Sequence, residues 1–507
     1  MRNFAYERRT IWGTICCSAR FSLVVQTVHV NPQLSIFSPM SKINKADELL
    51  SYIRQGRHMT RAEKIKLIIQ LSVPSILSQI SATAMFFIDA SMVGSLGARQ
   101  SASVGLVESS TWMFTGLLSA ASLGFSVQVA HAIGANHFER ARAILRQALV
   151  CVLIFSLILL LLGVSIHTRL PFWLGGGADI AHDASMYFLI FSLALPFYQL
   201  QNLSGSMLKC SGNMRVPSLL NILMCVLDVI FNFIFIFILD MGVPGAALGT
   251  LCAIFVSASL MAYSLLVRSP YLSLRKSPGS FRPTADCVRS AFQIGAPMGL
   301  QQILMGGAQI VSTSIVAPLG NISIAANTFA ITVESLCYMP GYGISDAATT
   351  LVGQGMGAGQ RTLTLSFAKL SVGLGMVVMT FMAVLMYVFA PNLMAVMTPV
   401  EAIRDLSVAA LRIEAFAEPM FAAAIVCYGV FIGSGDTLKP AAMNLASMWG
   451  VRLTLAAILA PQYGLRGVWT AMAAELIFRG LIFLWRLFHG KWLKNLPAAS
   501  SEPRQTI

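Results

Sequence analysis

"VPSLLNILMCVLDVIFNFIFIFILDMGVPGAALGT" runs from Val216 to Thr250. Up to Leu239 it holds one charge, Asp228, in a run otherwise made of apolar, small and amide residues. Such a run is too long for a strand and suits the ~20 residues that a helix needs to cross hydrocarbon. Asp240, Gly242 and Pro244 then mark a short turn, and a second apolar run follows. The reading is a helical hairpin across a bilayer, with its backbone groups satisfied inside each helix. A carboxylate at the centre of such a helix costs at least ~2.5–3.5 kcal/mol on insertion scales, so it faces a partner, a cavity or a pathway.

The rest of the chain agrees. Of its 507 residues, 56% are hydrophobic and 11% charged, against about 25% charged in a soluble domain. The net charge of +14 is that of a membrane protein with basic loops and gives no reason to expect nucleic acid. Nine cysteines are scattered, with no CxxC pair and no neighbouring histidines, so neither a metal site nor a disulfide framework is expected.

Apolar stretches of spanning length recur over 69–93, 103–128, 147–167, 184–207, 217–239, 244–267, 290–318, 325–352, 366–390, 406–432, 440–460 and 466–488. The expected fold is an all-α membrane protein of twelve transmembrane helices. Arg140, Arg142, Arg146, Lys209, Arg215, Arg268, Arg275, Arg282, Arg361 and Lys439 fall on the side of the termini, and the opposite loops are poor in basic residues. Both termini are therefore expected in the cytoplasm. The organisation is 1–66 as an extension and lead helix, 67–268 as the first lobe, 269–289 as a cytoplasmic linker, 290–488 as the second lobe and 489–507 as a tail. Within the first segment, residues 1–39 read as a disordered or mis-assigned extension ahead of Met40. Thr60 and Glu63 have the spacing of a capping box.

The halves match at an offset of 223 residues. Pro74 maps to Pro297, Gly97 to Gly320, Gly134-Ala135 to Gly357-Ala358, Pro196 to Pro419, Ser211-Gly212 to Ser434-Gly435 and Asn221 to Asn444. Six spans per copy imply two six-helix lobes related by a parallel internal repeat, with a central cleft as the pathway.

"FIDASMVGSLG" (Phe87–Gly97), "GFSVQVAHAIGAN" (Gly124–Asn136), "CSGNMRVPSLLN" (Cys210–Asn221), "MPGYGISDAATTLVGQGMGAG" (Met339–Gly359) and "FIGSGDTLKPAAMN" (Phe431–Asn444), with the opening hairpin, resemble the multidrug and toxic compound extrusion (MATE) family. The resemblance covers roughly residues 65–490. The second half has no acid near the start of span seven, which looks more DinF-like than NorM-like.

The resemblance implies a secondary active antiporter. It would export amphiphilic, cationic drugs or metabolites in exchange for protons or sodium, as a monomer in the bacterial inner membrane, with no cofactor and no enzyme activity. It implies a first-lobe cation site built on Asp89, Asp228 and the Thr250 hydroxyl. Sodium-binding members place Asn four residues before the span-five acid, where this chain has Met224. A hard cation wants several oxygen ligands, so Met224 favours protons, and Asn232 is the partial substitute. Glu108, Glu334, Glu414 and Glu418 are candidate substrate contacts; the last two could instead pair with Arg412 or Arg452. Asp346 suits either a structural cap at the Pro340 bend or a functional role. Glu475 and Arg479, four apart on one helix, read as a structural ion pair. Pro74, Pro196 and Pro419 are expected to bend helices, because proline frees backbone groups at membrane depth.

Two other readings are a lipid-linked oligosaccharide flippase of the same superfamily and an uncoupled channel or scaffold. The flippase would want a cleft rich in Arg and Lys, whereas acids prevail inside these spans. No HExxH or GxSxG motif supports an enzyme.

Overall fold

Thr60 starts the first long helix as its spacing with Glu63 predicts. Its hydroxyl accepts from the Glu63 N–H, and the Glu63 carboxylate accepts from the Thr60 N–H. The computed structural model describes residues 45–276 and 279–495. The expected extension over 1–39 and the tail beyond 495 lie outside the described residues.

The described chain is helical throughout. A lead helix α1 (Lys45–Gln55) precedes α2 (Arg61–Leu96), α3 (Ala98–Gly134), α4 (Phe138–Ile166), α5 (Ala178–Cys210), α6 (Arg215–Phe233) and α7 (Gly242–Tyr263). After the linker come α8 (Ala285–Val316), α9 (Asn321–Gly357), α10 (Arg361–Met397), α11 (Glu401–Ala415), α12 (Glu418–Gly433), α13 (Leu438–Ser447) and α14 (Leu453–His489). Turns of π geometry extend α6 and α7 over Ile234–Ile238 and Ser264–Arg268, and another joins α13 to α14 over Met448–Arg452.

Twelve separate spans are not what forms. Among the described residues ten helices are long and apolar enough to cross a membrane, and eleven if one bent pair counts as a span. The bent pair is the expected span over 406–432. It breaks by 59° between α11 and α12, where Pro419, lacking an N–H, starts a new helix more readily than it continues one. The expected spans 440–460 and 466–488 run as one helical stretch, Leu438–His489. Within it two helices meet across a kink at Gly464 (φ 60°, ψ −141°). Pro74 and Pro196 lie inside unbroken helices, α2 and α5.

Two lobes form, each around its own apolar core. Phe125, Val129, Ile144, Leu145, Leu203 and Met207 pack in the first, and Val333, Met386, Leu411, Trp469 and Met472 in the second. The lobes are not self-contained copies. The first span, α2, packs on α9 far more than on α3, the next helix of its own half; α8 in turn packs on α3. This reciprocal, inverted pairing across the interface does not bear out the parallel repeat of two separate six-helix units. The register of Gly and Pro records matched turns, and spatial pairing is set by which surfaces can approach.

Close approach is what those glycines permit. At Gly124, Gly134, Gly343 and Gly357 a Cβ would collide with Ala291, Gln354, Ile76 and His131 of the opposite lobe, at backbone atoms in each case. The His131 imidazole adds a hydrogen bond to the Gly433 carbonyl, 2.8 Å away. All these contacts fall toward the end of the molecule that carries α1.

Candidate functional site

Asp228 and Asn232 are one turn apart on α6 and share a face. Both are buried, at 0% and 1% exposure. Asp89 reaches them from α2. The Asn232 amide donates to Asp89 Oδ1 and to Asp228 Oδ2, each at 3.0 Å. One amide thus bridges the two carboxyl groups, and Thr250 of α7, whose hydroxyl donates to the Ala246 carbonyl at 3.2 Å, lines the same cavity beside them. The four residues named for the first-lobe site are thus brought together. Gly249 makes this possible: a side chain there would strike the Asn232 amide and come within 2.8 Å of its backbone nitrogen. Asp228 Oδ1 and Asn232 Oδ1 have no hydrogen-bond partner.

Asp89, Asn232 and Thr250 face a cavity of about 700 Å³ whose wall also includes Glu108, Trp112, Tyr187, Tyr198 and Met224. Asp228 lies behind them, outside the wall. Trp112 donates to Glu108 at 3.3 Å, so Glu108 sits at the cavity but away from the carboxyl pair. One turn before Asp228, the Met224 sulfur accepts from Gln201 at 3.1 Å. The nearest amide on that face is Asn221, a turn further from Asp228. It donates to Ser78 and accepts from Gln201.

A second cavity of about 500 Å³ lies between the lobes, lined by Lys209, Gln301, Tyr342, Asp346, Phe421, Tyr428 and Arg479 among others. It shares Gln79, Ser119, Asn202 and Gln302 with the first, so the two are continuous. At its floor, Lys209 Nζ and the Ser75 hydroxyl both bond Asp346 Oδ2, at 2.7 and 2.6 Å. Asp346 joins the lobes; it does not cap the Pro340 bend. In the sequence Lys209 counted only as a loop charge. Its place in the last turn of α5, just before Ser211-Gly212, was the available signal.

Glu334, Glu414 and Glu418 are buried in the second lobe, at 6%, 0% and 0% exposure, and none lines either cavity. They gather electrostatically with Arg452, which also faces Glu475. The Glu414 and Glu418 carboxylates accept no hydrogen bond, and Arg412 stacks instead over the Tyr387 ring. Glu475 and Arg479 form the expected pair, at 2.7 and 2.6 Å, with the Ser447 hydroxyl donating to Glu475. Among the described residues no group of three His, Cys, Asp or Glu is placed to hold a metal ion.

The MatE family matches residues 74–234 and 297–458, well over half of the chain. A probable multidrug resistance protein NorM of Thermotoga maritima is 26% identical over 436 residues, covering 85% of this chain and 93% of its own. A NorM protein of Neisseria meningitidis is 23% identical, covering 84% and 94%. The fold is also that of the Vibrio cholerae MATE transporter VcmN, with a TM-score of 0.81 at 19% identity, covering 86% of this chain and 99% of the other. An outward-facing multidrug resistance MATE transporter gives 0.82 at 22% identity, covering 89% and 99%. The similar relatives carry the NorM name, which overturns the DinF-like expectation: a missing acid in span seven is one position and does not outweigh similarity along the whole chain. The chain belongs to the MatE family and is a multi-pass, secondary-active antiporter working by alternating access, a transporter and not an enzyme.

Proposed function

We propose that this antiporter exports amphiphilic organic cations in exchange for protons, and that Asp89 and Asp228 carry the exchanged charge. The observation that supports this most is two carboxyl groups held on one bridging amide beside a cavity. Two like charges sharing one enclosed site favour keeping a proton on one of them. Asn232 turns its amide nitrogen, a donor that cannot ligate a cation, toward both carboxyl groups and leaves its own oxygen unpartnered. Met224 offers sulfur where an oxygen would serve sodium. Asp89 is the group reachable from the cavity, and Asp228 is its buried partner.

The cargo side rests on composition of the wall. Aromatic residues Trp112, Tyr187 and Tyr198 give an apolar, cation-tolerant surface next to Asp89 and Glu108. Glu334, Glu414 and Glu418 are buried away from both cavities, so the cargo-facing acids are Asp89 and Glu108. Each chain holds a full set of these groups, so it works as a monomer. The basic loops support a cytoplasmic location for α1 and both termini. Purified protein in liposomes, loaded with a fluorescent cation, tests the coupling. Efflux should follow an imposed proton gradient at fixed sodium. Efflux driven by sodium at clamped pH, with no response to protons, would refute it. Met224→Asn should add sodium binding without abolishing transport.

A further inference from the structure

The lead helix α1 belongs to neither lobe, yet it is tied to both. The last four carbonyls of a helix have no partner within it. In α1 two of them are taken by side chains from opposite lobes: Asn136 donates to the Arg54 carbonyl at 3.1 Å, and Gln360 donates to the Ile53 carbonyl at 2.7 Å. Asn136 lies in the α3–α4 turn and Gln360 in the α9–α10 turn, which match in the sequence register. The apolar face of α1 repeats the pattern. Leu49, Leu50 and Ile53 are buried against Met214 of the first lobe and against Ala347, Leu351 and Phe367 of the second. Leu50 fills the space left by Gly212. The Arg54 guanidinium bonds the Tyr271 hydroxyl at 2.8 Å and lies 4.7 Å from that ring's centre, so the linker is held as well.

Directly beneath α1 is the floor of the central cavity. There Thr350 donates to the Lys209 carbonyl and Gln354 to the Cys210 carbonyl. These contacts close the α1 end, and alternating access requires that they part.

We propose that α1 is a clasp: it holds the two lobes together at this end and must release both turns before the end can open. Every bond it makes across the interface is lost in the opened state, so its grip sets how often that state is visited.

The test uses the full chain with Cys210 as its only cysteine. Cys210 lines the cavity and is 3% exposed. A membrane-impermeant maleimide is applied to sealed vesicles from the α1 side, which a separate Gln55→Cys marker identifies whatever the orientation. Asn136→Gly keeps the left-handed backbone (φ 60°) while removing the donor, and Gln360→Ala removes the other. The double variant should label Cys210 about thirty-fold faster, the factor that two hydrogen bonds of ordinary net strength supply. Each single variant should label it about five-fold faster. Leu50→Ser, which loosens the apolar contact alone, should act in the same direction. If α1 is only a brace, the variants lose thermal stability while the folded protein labels at the parental rate. That result, in the double variant or in both singles and Leu50→Ser, overturns the clasp.

Discussion

Asp89 and Asp228 occupy different environments although one amide bridges them. Asp89 is half-buried and meets the cavity; Asp228 is fully enclosed and reaches it only through Asp89, Asn232 and Thr250. Groups that act as a unit give non-additive losses. Asp89→Asn and Asp228→Asn should each reduce proton-driven efflux to near background while the protein stays folded, and the double variant should be barely worse. Retention of full coupled efflux by either single variant would count against the pair. Glu475 should behave in the opposite way. Its carboxylate is buried and fully engaged by Arg479 and Ser447. Glu475→Gln strands the Arg479 charge, a loss of about 3–5 kcal/mol for a buried pair. A large drop in melting temperature with the response to the proton gradient retained is the expected outcome. Asp228 stood out in the sequence as a charge at the centre of a spanning helix, whereas Asp89, Thr250 and Asn232 were named through the resemblance to the family. Ser75 and Lys209 could not be named either way. A serine inside a helix is unremarkable, and a lysine near a turn resembles every other loop lysine until its partner on another lobe is known.

Elements were legible where their ends carry chemistry. Thr60 and Glu63 mark the start of α2, and the spacing alone sufficed. Interruptions were legible in place but not in form. The chain bends by 59° just before Pro419, which opens a new helix, α12. Between the expected spans 440–460 and 466–488, two helices meet across a kink of one residue, Gly464. At φ 60° and ψ −141°, Gly464 occupies a region almost closed to residues with a Cβ. Gly464→Ala should therefore cost about 1–3 kcal/mol through backbone strain, and the free space around it offers no packing explanation. Chemical denaturation in detergent would measure this. An unchanged midpoint would mean that the turn relaxes without penalty.

Across the whole molecule, sequence register and spatial pairing are separate kinds of information. The offset of 223 residues finds corresponding turns, such as those of Asn136 and Gln360, but it says nothing about which lobe a helix leans on. That α2 rests on α9 and α8 on α3 depends on the surfaces presented by both partners. The Lys209–Asp346 pair is the polar part of this contact. Lys209→Asp and Asp346→Lys should each slow the transport cycle by opening the floor, and the doubly exchanged protein should recover part of the rate. Failure of the exchange to rescue, with both proteins correctly inserted, would show that the local geometry and not the charge pairing holds the floor.

The glycines along the interface give the closed end an unusual mechanical character. Gly124, Gly134 and Gly357 bring backbone against backbone, so at these points the two faces meet with no side chain between them. Nothing there absorbs a protrusion. A single methyl group at Gly134 or Gly357 then works as a wedge. Gly134→Ala should leave each lobe intact and tilt the resting population away from closure on the α1 side. The variant would bind its cargo from that side more readily, which a binding titration on sealed vesicles measures, while the imposed gradient still sets the direction of transport.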